Sequence, residues 1–157
     1  MSTPNVPCGF HLKSIDDLTG YPVFPEGTKS LLSKFNTREI WEKYKDKRDA
    51  YNVPYKLCIF SGVKNVDSGI GVYAGSHDSY KVFSDLMDQI IAHYHKHKPE
   101  DKHVSDMDAS KLQCPPLMSD EAAMIVSTRI RVGRNLEGYP LAPGVTKEQR
   151  YEIMEKV

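Results

Sequence analysis

The sequence lacks most of the features that mark nucleic-acid-binding, membrane or secreted proteins. Its 157 residues carry 21 basic and 21 acidic side chains, so no net charge attracts the chain to nucleic acid or to an anionic membrane. No apolar run approaches the roughly 20 residues that span a bilayer. No apolar segment follows a basic start at the N-terminus, as a secretory signal requires. We therefore expect no nucleic-acid or membrane partner, and any binding of anions must be local.

Cysteine is also scarce. The three cysteines, Cys8, Cys58 and Cys114, are far apart and odd in number, and no C-x-x-C pair occurs. This spacing disfavours both a disulfide framework and a structural zinc site. Each cysteine is more simply a packing residue, and the set favours a reducing, cytoplasmic setting.

Helical periodicity begins after an irregular arm, residues 1–27, that is rich in proline and glycine and drapes over the domain or stays partly disordered. The segment "TKSLLSKFNTREIWEKYKDKRD" predicts a helix with a cap at Asn36. The segment "DSYKVFSDLMDQIIAHYHKHK" predicts a second helix, whose apolar stripe runs from Val82 to Tyr94. Between them, the short run "YKLCIF" is compatible with a strand or with a buried helix turn.

The second of these helices ends in an H-x-H-x-H pattern formed by His93, His95 and His97. Only His93 and His97 share a helix face, and no carboxylate is fixed beside them. We expect a polar last turn that the helix dipole favours, rather than a metal site.

Residues 101–118 are polar and include adjacent prolines at 115 and 116, which predicts a linker at a domain boundary. The following segment "AAMIVSTRIRV" predicts a strand that ends at Gly133. A capping box of Thr146 and Gln149 then predicts a further helix. A strand without a partner leaves its backbone groups unpaired, and one helix buries little apolar area. We therefore expect residues 119–157 to be only the beginning of a second domain.

The stretch "STRIRVGR" is the first candidate for chemistry. In a strand, Ser127, Arg129 and Arg131 would share one face, with the two arginines about 7 Å apart. Two guanidinium groups and a hydroxyl offer charge-assisted hydrogen bonds to phosphate oxygens. The alternative is an exposed strand face with ordinary surface ion pairs. A nucleic-acid patch is disfavoured because no aromatic residues alternate with the arginines.

A glycine-rich stretch, "SGVKNVDSGIGVYAGSHDSY", is the second candidate. Its segment "GIGVYA" matches G-x-G-x-x-A loosely, but the residues before it are too polar for the buried strand of a dinucleotide-binding unit. No phosphate-binding P-loop motif occurs. The stretch is either a turn-rich surface loop or a loop whose backbone N–H groups close over a small polar ligand. In the second case Ser68 and Tyr73 would add hydroxyl groups.

These two stretches together resemble the phosphagen (guanidino) kinases, most closely the arginine kinases. "NVDSGIGVYAGSHDSYKVF" is similar to the guanidino-specificity loop of that family, and "VSTRIRVGRNLEGYPLAPGVTKEQ" is similar to its S-T-R-[VI]-R-x-G-R block. "IIAHYHKH" followed by "DKHVSDMD" resembles the passage between them. The likeness covers residues 28–157.

The resemblance implies a small all-α N-terminal domain followed by the truncated start of an α/β catalytic domain built on an antiparallel sheet. The helical, guanidino-substrate domain would span residues 28–100, a linker 101–118, and the incomplete catalytic domain 119–157. "MIVSTRIRV" would be the first strand of the catalytic sheet.

The implied reaction is the reversible transfer of the γ-phosphoryl group of MgATP to the guanidino group of L-arginine, for energy buffering. The partners would be ATP or ADP and a small guanidino compound, with Mg²⁺ held mainly by the nucleotide, in a monomer or homodimer. Asp67 would take part in closure between the domains. The residues implied to contact ATP are Ser127, Thr128, Arg129, Ile130 and Arg131. The residues implied to bind the guanidino substrate are Ser68, Gly69, Ile70 and Tyr73.

Several alternatives stay open at this point. The stretch "KDKRDAYNVPYKLCIFSG" departs from the arginine kinase pattern, so a taurocyamine, lombricine or glycocyamine kinase is compatible with the sequence, whereas the short loop argues against a creatine kinase. The resemblance matches none of the family's catalytic glutamates or its reactive cysteine to these residues, so we expect a fragment without catalytic residues that is inactive alone. A non-catalytic, anion-binding helical module and a helical interaction domain are the other candidates.

Overall fold

The computed structural model describes residues 3–113 and 115–157. Cys114, which we expected to be a packing residue, lies outside the described residues. In the described ranges the helices are α1 Leu31–Phe35, α2 Arg38–Tyr44, α3 Tyr55–Lys64, α4 Ser79–Val82, α5 Ser84–His95, α6 Ser119–Met124 and α7 Lys147–Lys156. The strands are β1 Asn5–Pro7 and β2 Tyr21–Val23, and short 3₁₀ turns occupy Ile15–Asp17 and Ala109–Lys111. The helical N-terminal domain that the resemblance implied is thus confirmed.

The chain divides into two compact units. One consists of the residues up to Pro99 together with Leu136–Val157, and the other is Glu100–Asn135. The division into an arm, a helical domain, a linker and the start of a catalytic domain stays a prediction. Among the described residues, no helix is both long and apolar enough to cross a bilayer.

The core of the first unit is built around a cluster of four buried aromatic rings. The ring centroid of Tyr55 lies 5.1 Å from that of Phe83, 5.5 Å from that of Tyr44 and 6.4 Å from that of Trp41. These rings come from α2, α3 and the junction of α4 with α5, so one cluster joins the main helices. Aromatic pairs at such separations add about 0.5–1.5 kcal/mol each to the burial of their apolar area.

The segment 28–49 forms two helices instead of the single one that we predicted. The side chain of Ser30 caps α1 and that of Thr37 caps α2, each by accepting a backbone N–H of the first turn. Asn36, which we expected to be the cap, is buried between the helices, where its side-chain oxygen accepts the Tyr55 hydroxyl at 2.8 Å. The predicted cap at Asn36 is therefore wrong, because a buried tyrosine hydroxyl competes for this side chain.

The ambiguous run "YKLCIF" belongs to α3. The helix begins after Pro54, whose extended backbone (ψ 149°) suits the residue before a first turn. The buried positions continue past the run at helical spacing and are Tyr55, Cys58, Ile59, Gly62 and Val63. This spacing decides for a helix, because a strand would bury every second residue.

The helix predicted over 78–98 forms as α4 and α5, which meet at Phe83. Phe83, Leu86, Met87 and Ile90 are buried, as the apolar stripe predicted, whereas Tyr94 at the end of the predicted stripe is 58% exposed. α5 ends at His95, and the capping residue that follows, Lys96, adopts the left-handed conformation (φ 57°). The ring of His93 packs against Phe35 at 5.5 Å. Among the described residues, no three His, Cys, Asp or Glu side chains converge on a metal-binding arrangement.

The N-terminal arm contributes to this core. β1 and β2 pair in parallel, with Val6 opposite Pro22. Leu12 and Leu18 are buried in the same core as the helices. The sheet that the described residues contain is therefore parallel and N-terminal, whereas the orientation that we expected for a sheet was antiparallel.

The strand predicted from "AAMIVSTRIRV" is absent from the described residues. α6 ends at Met124, and residues 125–136 follow without regular structure. A strand needs a neighbour for its N–H and C=O groups, and no other described segment pairs with this one. Further along, the predicted capping box of Thr146 and Gln149 is present at the start of α7.

The aromatic cluster generates a test of the fold. We expect Phe83→Ala to lower the free energy of unfolding by about 3–5 kcal/mol, because the ring is fully buried and its removal leaves a cavity. The matched control is Phe10→Ala, since Phe10 is 66% exposed, and we expect a change within about 0.5 kcal/mol. Urea denaturation followed by tryptophan fluorescence measures both. Equal effects of the two substitutions would contradict this description of the core.

Candidate functional site

The glycine loop, which we define as residues 66–76, connects α3 to the start of α4. Its side chains divide between two sides. Ile70, Val72 and Ala74 pack against the hydrophobic core, whereas Tyr73 is 52% exposed. The apolar side chains thus anchor the loop, and Tyr73 is left half exposed.

The loop's carbonyl groups bind the N-terminus of α1. The N–H of Leu31 donates to the Gly69 carbonyl and that of Leu32 to the Ile70 carbonyl, both at 2.9 Å. The first N–H groups of a helix have no partner within the helix, so the loop supplies their acceptors. This contact holds the middle of the loop against α1.

The loop's N–H groups behave differently. The N–H of Tyr73 donates to the Cys58 carbonyl at 2.8 Å. In the part of the chain that the structure describes, no hydrogen bond uses the N–H groups of Gly69, Ile70, Gly71 or Val72. The loop therefore keeps a run of main-chain donors, while the carbonyl groups of Gly69 and Ile70 are engaged in the fold.

Two glycines allow the loop to lie directly on α3. A Cβ atom at Gly62 would lie 2.7 Å from the carbonyl carbon of Gly71 and would also collide with its oxygen. Gly71 itself has a φ of +81°, in the left-handed region that favours glycine. The loop is rich in glycine here because its backbone approaches another backbone.

Tyr73 lines an open cavity of about 410 Å³ beside α3. Its other lining residues are Leu57, Phe60, Ser61, Lys64, Asn65, Ala142 and Pro143. The chain near Ala142 reaches this position because the N–H of Leu141 donates to the Gly75 carbonyl at 2.8 Å. Sequence reasoning did not assign a role to this 141–144 segment, since nothing local in it indicates which surface it meets.

Sequence reasoning also missed Asp49, which is buried (6% exposed) beside the end of the loop. Its carboxylate accepts four hydrogen bonds, from the backbone N–H groups of Tyr51 and Val53 and from the hydroxyls of Ser76 and Ser79. Burial raises the pKa of Asp49, but the four hydrogen bonds together lower it by more than burial raises it. The pKa of this carboxyl group therefore lies below its ordinary value. No sequence signal marks Asp49, because its partners lie up to thirty positions away.

The remaining predicted residues are placed as follows. Asp67 is exposed at the start of the loop, and Ser68 is half-buried, with its N–H bonded to the Asn65 carbonyl. Residues 127–131 belong to the unit Glu100–Asn135, and every side chain that the structure describes there is exposed. Within the described residues, neither Arg129 nor Arg131 forms an ion pair. The functional roles implied for all these residues stay predictions.

Comparison with known proteins identifies a family with this arrangement of helices and loop. Residues 26–92, which include α1 to α4 and the glycine loop, match the family model described as ATP:guanido phosphotransferase, N-terminal domain. The class of domain that the loop and helices define is therefore the N-terminal domain of the ATP:guanido phosphotransferases. The chain belongs to the phosphagen kinase family as an N-terminal portion.

Curated relatives are arginine kinases. The chain is 45% identical over 141 residues to an arginine kinase of Anthopleura japonica, covering 86% of this chain and 20% of that protein. It is 41% identical over 130 residues to the arginine kinase Lit v 2.0101 of Penaeus vannamei, covering 82% of this chain and 36% of that protein. The chain therefore spans between a fifth and somewhat over a third of these two relatives.

A solved structure shares the fold. The substrate-free duplicated taurocyamine kinase from Schistosoma mansoni matches with a TM-score of 0.59 and 25% sequence identity. The match covers 84% of this chain and 19% of that one.

The backbone contact between α3 and the loop generates the second prediction. Gly62→Ala should lower the free energy of unfolding by about 1–3 kcal/mol, because the new methyl group meets the Gly71 main chain. In a helix without this contact, the same change would stabilise by about 0.5–1 kcal/mol. Gly69→Ala is the control, since no atom lies within 4 Å of the position that its new methyl group would take. Chemical denaturation measures both, and a stabilised Gly62→Ala would contradict the contact.

The third prediction concerns the stability of the fold at acidic pH. Because the pKa of Asp49 is lowered on folding, its ionised form stabilises the fold above the ordinary pKa of about 3.9, and this stabilisation is lost as the pH falls through the lowered value. We expect Asp49→Asn to cost about 1–3 kcal/mol at pH 7. The difference from wild type should shrink below about pH 4. Urea midpoints between pH 7 and pH 2.5 measure it. Asp46→Asn, on an exposed side chain, should show no such convergence.

Proposed function

We propose that this chain supplies the guanidino-substrate loop and part of the nucleotide site of an ATP:guanido phosphotransferase that acts on L-arginine. The observation that carries the proposal is the set of loop N–H groups, Gly69 to Val72, that have no acceptor within the described residues. The arginine kinase names of the relatives at 41–45% identity support L-arginine as the substrate.

The amino-acid end of the substrate binds to the glycine loop. Its carboxylate accepts hydrogen bonds from the N–H groups of Gly69 and Ile70, since an anion is well matched by consecutive backbone donors. The hydroxyls of Ser68 and Tyr73 bind the remaining polar groups of the ligand. The backbone can grip a small zwitterion in this way without a charged side chain.

The nucleotide binds to residues 127–131. The guanidinium groups of Arg129 and Arg131 donate to phosphate oxygens, and the Ser127 hydroxyl adds a further donor. Thr128 and Ile130 contribute their backbone. Mg²⁺ stays mainly on the phosphates, as it usually does in such sites. Because phosphoryl transfer depends on alignment and charge neutralisation, fixed arginines and a substrate loop are the parts it requires.

The remaining assignments concern setting and partners. Asp67, exposed at the start of the loop, takes part in closure over the bound substrate. The partners are ATP or ADP and a small guanidino compound, in a monomer or a homodimer. Cys8 and Cys58 are both free and buried, which supports a reducing, cytoplasmic setting.

The substrate assignment generates the fourth prediction. Adding L-arginine to the ¹⁵N-labelled chain should shift the amide resonances of Gly69 to Tyr73, and Tyr73→Phe should weaken the affinity about tenfold by removing one hydroxyl donor. Tyr80→Phe is the matched control, because Tyr80 is another exposed tyrosine, outside the loop. Taurocyamine, lombricine and glycocyamine are titrated in parallel.

The outcomes separate the candidate functions. Tighter binding of taurocyamine than of L-arginine would replace arginine as the substrate, a result that the Schistosoma mansoni neighbour makes worth testing. A non-catalytic anion-binding module would be favoured if the chain binds ATP, loses that binding in the double variant Arg129→Ala with Arg131→Ala, and responds to no guanidino compound.

In a coupled ADP-release assay, we expect no turnover by this chain alone. Turnover is expected from a chimera in which it replaces the matching portion of the Penaeus vannamei arginine kinase.

A further inference from the structure

We propose that Asp49, which lies outside both sequence motifs, is a positioning residue that fixes the C-terminal end of the glycine loop and thereby the placement of Tyr73. Its consequence for substrate binding rests on the function proposed above. The geometry of the hydrogen bonds around Asp49 carries the proposal independently.

The two oxygens of the Asp49 carboxylate hold two different segments. Oδ1 accepts the N–H groups of Tyr51 at 3.0 Å and Val53 at 2.9 Å, which fixes the turn that follows α2. Oδ2 accepts the hydroxyls of Ser76 at 2.8 Å and Ser79 at 2.5 Å, at the junction of the loop with α4. One side chain therefore ties the turn before α3 to the loop after it.

The Ser79 hydroxyl extends this contact to the loop backbone. Its single proton is donated to Asp49, so its oxygen is left to accept the N–H groups of Gly75 at 3.2 Å and Ser76 at 3.0 Å. The carboxylate thus sets the direction of the hydroxyl. An ionised acceptor at position 49 is required for this arrangement, because only a carboxylate offers acceptor sites on both oxygens.

Gly75 is held from further directions. Its carbonyl accepts the N–H of Leu141 at 2.8 Å. A methyl group at Gly75 would collide with the side chain of Val53, the residue that Asp49 fixes through its other oxygen. Tyr73 lies two residues before Gly75 and is itself tied to the Cys58 carbonyl. Tyr73 therefore lies between two restraints, the Cys58 carbonyl and Gly75, and displacing Gly75 would loosen the second.

Within the described part of the chain, no ion pair accounts for the burial of Asp49. Among the ion pairs of the described residues, none includes this carboxylate. Burying a carboxylate costs free energy of desolvation, and here four neutral donors, rather than a positive charge, offset that cost. What Asp49 contributes is therefore the fixed placement of the groups that donate to it.

The test is Asp49→Asn, which preserves the shape of the side chain and replaces one of its two acceptor atoms by a donor. The amide oxygen can still accept from Tyr51 and Val53. The amide nitrogen would face the Ser79 hydroxyl as a donor and compete with the loop N–H groups. Amide hydrogen exchange of the ¹⁵N-labelled 157-residue chain should then accelerate about tenfold at Gly75 and Ser76, and less at Val53.

Two further variants make the test specific. Ser79→Ala removes the acceptor of the loop N–H groups but leaves Asp49 bound to its turn, so it should reproduce the faster exchange at Gly75 and Ser76. It also keeps the test decisive if Asp49→Asn fails to fold. Asp46→Asn, an exposed acid close in sequence, should leave exchange unchanged. In both Asp49→Asn and Ser79→Ala, the Tyr73 amide resonance should shift and the affinity for L-arginine should fall about tenfold.

The opposite results are equally clear. Unchanged exchange at Gly75 and Ser76 in Asp49→Asn and Ser79→Ala would overturn the proposal. So would acceleration at Gly75 and Ser76 that is no larger than the acceleration across α5, because that would reflect only the global loss of stability that Asp49→Asn causes. A wild-type chain that does not respond to L-arginine would refute the proposed function, whereas the exchange pattern would still decide whether Asp49 holds the loop.

Discussion

The main chain of the glycine loop lies directly on the main chain of α3, and the arrangement of the candidate site depends on this contact. Gly62 and Gly71 are the two residues that permit it, since a methyl group on Gly62 would occupy the position of the Gly71 carbonyl. Because the contact is between backbones, it cannot be adjusted by rotating a side chain. The loop's direction, and the residues that it can present, follow from it.

The contact also decides which polar groups of the loop remain available. The carbonyls of Gly69 and Ile70 supply the acceptors that the first turn of α1 needs. Further along, Tyr73 is bonded to α3, and Gly75 is bonded to Ser79 and Leu141. What is left is a short run of N–H donors on a backbone that is held at several points. Such a backbone is preorganised for an anionic group, since little ordering has to accompany binding.

Much of the helical architecture could be predicted from the sequence, because its signals are local. The stripe of Phe83, Leu86 and Ile90 predicted the buried face of α5, and the pairing of Thr146 with Gln149 predicted the start of α7. The glycine loop could also be predicted from the sequence, whereas its role as a binding site stays a prediction. α3 was ambiguous because the apolar run "YKLCIF" is too short for its periodicity to distinguish a strand from a buried helix.

The errors have a common physical origin. Asn36 has the composition of a cap, but the Tyr55 hydroxyl binds its side chain in the core. The strand expected over residues 122–132 has the right alternation, yet a strand also needs a pairing partner, which no local pattern supplies. Asp49 was overlooked because nothing near it in the sequence indicates Ser76 and Ser79.

By itself, the sequence determined that the segments 28–49 and 78–98 contain helices, where α7 begins, and that a glycine-rich loop precedes the second of these segments. It could do so because spacing and capping act over three or four residues. Only the tertiary structure decided which loop groups are engaged in the fold, which remain available, and that Asp49 anchors the loop's end. These features depend on contacts between residues that are far apart in the chain, and they exist only once the helices have packed together.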